Sequence, residues 1–183
     1  MLRGKKVVLR DKQWEDATND YAWRSDDELA RLDAAPPLRV PYTEYLFEHA
    51  TEISATSERR RRFAIETLDG RHIGNCMYYD VDKKRGQAEL GIMIGDRDYW
   101  QQGYGADAVT VLLNHIFTTT NITRVYLKTL DWNARAQGCF RKCGFVAYGH
   151  ITRRDKTFVT MQITRKDWER RKLASPVTNA PTS

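Results

Sequence analysis

The sequence predicts a single α/β (α+β) domain in which helices cover one mixed β-sheet, in the order strand, two helices, three strands, helix, strand, helix, two strands. Three observations predict it. A length of 183 residues suits one domain whose core needs neither a disulfide nor a metal. Apolar residues recur at helical spacing in some segments and alternate in others, with turn residues between them. Between Ala88 and Leu130 a strand, a glycine turn, a helix and a second strand follow one another. That is a βαβ unit, and the loop beyond the first strand's carboxyl end is a usual ligand crevice.

The elements follow in order. KKVVLRD, from Lys5, reads as the first strand, and helical spacing runs from about Trp14 to Arg24. DAAPPLRVP, Asp33 to Pro41, carries three prolines and breaks any helix; the next is expected from Thr43 to Ile53. RFAIETL and HIGNCMYYDV alternate like strands, and Asp69-Gly70 between them is a hairpin signal. KKRG turns the chain into AELGIMIG, the third strand of that meander. After YWQQGYG, ADAVTVLLNHIF reads as a helix, ITRVYLKTL as a strand, and NARAQGCFRKCGF as a helix capped by Gly144. FVAYGHITRR and KTFVTMQITR are the last strands. The domain therefore spans 1–174, and SPVTNAPTS, 175–183, is expected to be a disordered tail.

Composition narrows the class. Hydrophobic residues make up 41% and charged residues 30%, and no apolar run approaches the roughly 20 residues of a membrane span. MLRGKKVVLRD shows no secretory pattern, so a soluble cytoplasmic protein without a membrane partner is expected. Cys76, Cys139 and Cys143 cannot all pair, which fits reduced thiols. The formal charge of +6 is uneven. Between Asp11 and Ala35 eight acids face three bases, whereas bases gather at Arg59 to Arg62 and from Arg153 to Lys172. The basic residues read as a solvated face, with an anionic cofactor or RNA as the other readings.

Gly103 and Gly105 stand at the mouth of a helix. A helix start leaves backbone N–H groups unpaired and carries partial positive charge, so the amides of Gln101 to Ala106 are arranged to wrap a pyrophosphate. The same glycines would serve a plain helix entry. No Lys-Ser or Lys-Thr pair makes this a P-loop, and the third glycine and the acid of the dinucleotide fingerprint are missing.

AELGIMIGDRDYWQQGYGADA followed by NARAQGCFRKCGF resembles the two signature segments of the GNAT superfamily of acyl-CoA-dependent N-acetyltransferases. VVLR, SDDELARL and VTMQITRKDW extend the resemblance to the Rim-type branch, the ribosomal-protein-alanine N-acetyltransferase-like enzymes. The resemblance implies the single-domain GNAT fold, acetyl-CoA as cosubstrate with no metal, and direct attack by a primary amine, on a small molecule or a protein N-terminus. It implies that Met93 and Ile94 lend backbone groups of a splayed strand to the pantetheine arm. Gln101, Gln102, Gly103, Tyr104, Gly105 and Ala106 would hold the CoA pyrophosphate, and Asn133 would contact the cofactor from the next helix. Arg135, Arg141 and Lys142 read either as phosphate contacts or as solvated charges.

Glu89, 13 residues before Gln102, stands where several members carry a catalytic glutamate and is expected to be the general base; a strand-end ion pair with Arg85 or a neighbour is the structural alternative. The tyrosine with which many relatives protonate the leaving thiolate is Phe140 here. Water, Tyr104, Tyr126 or Tyr148 would substitute, or no acid is needed. Cys139 and Cys143 share a helix face without a further metal ligand, and no histidine is given a role, His115 being read as a helix-surface residue.

An amine attacks as the neutral form. At pH 7 a lysine-like amine is neutral in roughly one molecule in two thousand and an α-amino group in about one in ten. The acidic run from Asp11 to Asp33 suits a cationic acceptor: a peptide N-terminus, polyamine, aminoglycoside or amino acid. The alternative is a catalytically weak or silent CoA-binding or RNA-associated module using Arg59 to Arg62. RNA or ribosome contact and a homodimer are the further partners considered.

Overall fold

A computed structural model describes residues 1–55 and 57–174; the expected tail lies outside them. The chain opens with strands β1 (Leu2–Arg3) and β2 (Val7–Arg10), then helices α1 (Ala17–Ser25), α2 (Asp27–Leu32) and α3 (Tyr42–Ser54). The meander β3 (Arg61–Thr67), β4 (His72–Asp82) and β5 (Gln87–Ile94) leads to α4 (Tyr104–Thr119), β6 (Arg124–Leu130) and α5 (Ala134–Lys142). The hairpin β7 (Val146–Arg153) and β8 (Lys156–Thr164) and helix α6 (Arg165–Ala174) follow. The strands form one sheet in the order β1-β2-β3-β4-β5-β6-β8-β7.

Every neighbouring pair is antiparallel except β5 and β6, the parallel pair that the βαβ reading requires. Their ladder is short: Gln87 faces Arg124, Ala88 faces Val125 and Glu89 faces Tyr126. Beyond Glu89 the strands part. β5 stays on β4 as far as Ile94, and β6 stays on β8 as far as Leu130, so each keeps an unpaired inner edge. The sheet opens there into a V, and the site occupies it.

Helix α4 is apolar on most of its circumference, and Val109, Leu112, Leu113 and Ile116 pack with Val7, Leu9, Ile73 and Leu90 in the core. Turn chemistry follows the sequence. Gly70 takes φ +88 in the β3–β4 hairpin, and Gly144, at φ +97, ends α5.

Two helices go beyond the expected order. SDDELARL folds separately as α2 because the Asp26 carboxylate accepts the Leu29 N–H at 2.9 Å and starts a new helix. RKDWERRKLA has almost no apolar face, yet forms α6, which Trp168 holds down: its Nε1 donates to Asn114 Oδ1 at 3.0 Å and its ring lies 5.4 Å from Phe117. His115 is half-buried rather than on the helix surface, with its ring 5.6 Å from Phe63.

The acidic run is largely neutralised within the fold. Buried Asp16 accepts from Arg10 at 2.7 and 2.9 Å and from the Gln13 N–H at 2.8 Å. Asp20 takes Lys12 at 2.6 Å and Asn75 at 2.6 Å, Asp26 and Glu28 share Arg97, and Asp27 pairs with Arg39. The run therefore does not present the open negative surface that its composition suggests.

Candidate active site

The V opens into a cleft of about 2060 Å³. An ordinary ligand pocket holds roughly 300–1,000 Å³, so there is room for two ligands.

One wall is the start of α4. Gln101 at φ +60 and Gly103 at φ +87 are left-handed, and turns of this kind aim successive N–H groups into one concavity. Among the described residues no hydrogen bond is made by the backbone N–H of Gln101, Gln102, Gly103, Tyr104, Gly105 or Ala106; Asp107 is the first to close, onto the Gly103 carbonyl at 3.0 Å. A run of unpaired donors at the positive end of a four-turn helix suits an anion. The two glycines serve it differently. At Gly103 a Cβ would meet only Lys6 Cε, at 3.8 Å, so the backbone conformation requires the glycine. At Gly105 a Cβ would sit in ordinary contact with Cys139 Sγ and Ile94 Cγ1, each at 3.6 Å, so α4, α5 and β5 leave room for a methyl group and little more.

Trp100 ties this wall together. Its Nε1 donates to the Ile94 carbonyl at 2.7 Å, which engages inside the protein a backbone group that Ile94 was expected to offer. The Arg135 guanidinium lies 3.6 Å from the centre of the Trp100 ring and has no carboxylate partner among the described residues; burial lowers its affinity for the proton. Asn133 caps α5, its Oδ1 accepting the Ala136 N–H at 3.1 Å, and it lines the cleft, as do Met93 and Lys142. Arg141 instead donates to Gln137 Oε1 at 2.9 Å.

At the apex stands Glu89, 3% exposed and on the cleft wall. Lys128 Nζ lies 2.6 Å from its Oε2, off the direction a hydrogen bond needs, so charge holds the pair. Arg85, the partner weighed from sequence, faces Asp82 at 3.8 Å. Tyr79 on β4 and Tyr126 on β6 lie opposite Glu89 in register. Burial and the carboxylate together push the Tyr79 phenol well up, so it stays protonated.

Phe140 lines the cleft 5.8 Å from Phe145 and has no proton to give. Tyr104, Tyr126 and Tyr148 are not among the lining residues, whereas Tyr79 is. Asp33 also lines the cleft: it is open to water but walled by protein, and that confinement pushes its carboxyl up to about 6 against the pull of Arg24. Across the mouth Lys156 Nζ donates to the Ala34 carbonyl at 3.0 Å, and Arg31 lies 4.7 Å over the Trp132 ring. Lys128 and Tyr79 escape sequence reasoning, and Asp33 enters it only as one acid of the Asp11–Asp33 run. Alternation along β4 and β6 places the first two on a face, but only strand register brings them to Glu89. Among the described residues no cluster of His, Cys, Asp and Glu could hold a metal, and no helix is long and apolar enough to cross a membrane.

A parallel strand pair parted beside a helix-start anion cradle, with a buried carboxylate at the parting, defines an enzyme that transfers a group from a phosphate-bearing cosubstrate. The chain belongs to the GNAT family: the family model described as Acetyltransferase (GNAT) domain matches residues 6–146. It is an N-acetyltransferase, with acetyl-CoA as its cosubstrate and an amine as acceptor. It is 27% identical over 128 residues to the uncharacterized N-acetyltransferase p20 of Bacillus licheniformis, across 69% of this chain and 71% of that one. It is 26% identical over 159 residues to the human alpha/beta-tubulin-N-acetyltransferase 9, across 79% of this chain and 74% of that one. Among solved structures, the Vibrio cholerae spermidine N-acetyltransferase in complex with CoA and spermine superposes with a TM-score of 0.78 at 21% identity, covering 89% of this chain and 98% of that one. These matches do not single out the Rim-type branch.

Proposed function

We propose that the enzyme acetylates an α-amino group, with a protein N-terminus as its acceptor in the manner of the Rim-type branch, and that Glu89 is its general base. One observation carries this reading: the β5–β6 ladder ends at Glu89, with unpaired amides on one side of the opening and a buried carboxylate at its apex.

The amides of Gln101 to Ala106 would hold the pyrophosphate, with Arg135 and Lys142 beside them, and the free edge of β5 at Met93 would guide the pantetheine arm, the Ile94 carbonyl being held by Trp100. Asn133 keeps its amide nitrogen for the cofactor, since its cap uses only Oδ1. Acetyl-CoA supplies the activated acyl group. The amine nitrogen forms the new bond to the acyl carbon, the carbon–sulfur bond breaks, and the amine proton passes to Glu89 directly or through a water. Lys128 Nζ, 2.6 Å from its Oε2, holds the carboxylate in place at the apex. The thiolate leaves as such or takes a proton from water.

An α-amino group suits a site with this single buried base, because about a tenth of it is already neutral at pH 7. The likeness to an enzyme named for acetylating tubulin points to a protein acceptor. Of the Arg59–Arg62 run that the RNA reading uses, Arg61 pairs with Asp11 and Arg62 with Glu52. The test is an acetyl-CoA thiol-release screen over peptides, spermidine and aminoglycosides, with mass spectrometry locating the acetyl group. Acetylation of peptide α-amines is the expected result. Transfer to lysine side chains alone, or CoA binding without transfer to any amine, overturns the reading.

A further inference from the structure

The charges around the acceptor side of the cleft do not match a polycation. Six acids line the cleft, and five of them are neutralised: Asp11 by Arg61 at 3.1 Å, Asp20 by Lys12 at 2.6 Å, Glu52 by Arg62, Glu58 by Lys83 at 2.5 Å and Glu89 by Lys128 at 2.6 Å. Among the described lining residues Asp33 is the one carboxylate with no ion pair. Among the described residues, the lining cations include seven with no carboxylate within ion-pair distance. Two of these, Arg135 and Lys142, belong to α5 and sit by the anion cradle. The other five are Arg24 on α1, Arg60 just before β3, and Arg153, Arg154 and Lys156 at the β7–β8 turn.

A spermidine-like acceptor carries several positive charges and would meet this rim as a like charge, which costs affinity and slows encounter. One positive charge finds an unpaired carboxylate, at Asp33. The remainder of the acceptor must be neutral or negative. Its length follows from the sheet. β5, which carries Glu89, lies two strand steps from β3 and two from β8 in the order β3-β4-β5-β6-β8, about 10 Å along the sheet either way at about 4.8 Å per step. An extended peptide rises about 3.3 Å per residue, so about three residues separate an amine at Glu89 from either cation group. A free amino acid cannot reach from Glu89 to either group.

Resting on the α-amine reading above, we infer that the acceptor is a peptide whose free N-terminus is followed by acidic residues, with Asp33 meeting its ammonium on entry, its amine delivered to Glu89 and its carboxylates against Arg60, Arg153 and Arg154. The arrangement selects by charge pattern, one ammonium inside and anions outside.

The test compares kcat/KM of the full-length enzyme for two six-residue peptides with the same N-terminal serine, one continuing with Glu and Asp and the other with Lys and Arg, and for spermidine. The acidic peptide is expected to be favoured at least about tenfold at low salt, with the advantage shrinking towards parity near 0.5 M salt as the rim is screened. Arg60→Glu combined with Arg154→Glu, both exposed positions, should cut that preference by about tenfold, with circular dichroism checking the fold. Equal or better turnover of the basic peptide or of spermidine overturns this inference and leaves the enzyme reading standing. CoA binding with no transfer to any amine overturns both. Salt-sensitive binding of a single-stranded RNA that the acidic peptide displaces, without acetylation of that peptide, would assign the same cations to nucleic acid and also overturns it.

Discussion

At Glu89 three strands bring their chemistry to one carboxylate: Tyr79 from β4, Tyr126 and Lys128 from β6, and the cleft in front. Glu89→Gln keeps the shape and removes the proton acceptor. Turnover on a peptide α-amine at pH 7 should then fall by roughly 10²-fold, with CoA affinity by calorimetry unchanged. Part of the loss should return at higher pH, where more of the amine is already free. Wild-type turnover of the variant from pH 6 to 9 would show that the carboxylate only supports the strands. Gly105 gives a second residue-level expectation. With Cys139 Sγ and Ile94 Cγ1 each 3.6 Å from the position of a Cβ, alanine fits but the γ-methyls of valine do not. Gly105→Val should weaken CoA binding by at least about tenfold, which is about 1.4 kcal/mol, while Gly105→Ala stays close to wild type. Equal CoA affinity for the valine variant, with its fold intact, would remove the anion cradle from cofactor binding.

Among the elements, α4 and α6 contrast in how they are specified. α4 is written in its own residues, glycines at its mouth and a nearly continuous apolar surface behind them. α6 is not: seven of its ten residues are charged, and it is fixed by the Trp168 ring against Phe117 with a hydrogen bond to Asn114, and by Arg165, which donates to the Phe117, Thr120 and Ile122 carbonyls. Trp168→Ala should therefore lower global stability by about 2 kcal/mol, below the range for a fully buried tryptophan because this one is half-buried. Chemical denaturation measures it. A change under about 0.5 kcal/mol would mean that α6 does not contribute to the cooperative unit. The same dependence on distant partners explains why α6 escaped the sequence: its signal lies in α4.

For the whole molecule the buried network beneath α1 sets the response to acid. Burial alone would raise the Asp16 carboxyl, but Arg10, the Gln13 N–H, Lys12 and His72 outweigh it and hold it well below the usual carboxylate range. His72, buried and beside Lys12, is also pushed down. Both groups bind protons less readily folded than unfolded. Their stabilisation is therefore complete above the unfolded values and is lost as pH falls, for His72 below about 6.5 and for Asp16 below about 4. Stability should decline from pH 7 towards pH 3, measured as the denaturation midpoint. Asp16→Asn should cost about 3 kcal/mol at neutral pH, since it leaves Arg10 buried with one partner fewer, and should flatten the acid slope. A slope equal to that of the parent would place the acid response elsewhere.

What the sequence determined by itself is local: the order of strands and helices, the hairpin at Asp69-Gly70, the parallel unit around α4, and the glycines at the mouth of that helix. These depend on propensity, periodicity and φ, which neighbouring residues settle among themselves. The tertiary structure alone decided which charges remain free. Composition makes Asp11 to Asp33 look like a bed for a cation, and only folding brings Arg10, Lys12, Arg39 and Arg97 onto those carboxylates. It likewise decided that Glu89 pairs with Lys128 rather than Arg85, because the register of β5 on β6 places residues 39 positions apart side by side. Charge interactions act through space, and distances between residues remote in sequence are fixed only when the chain folds.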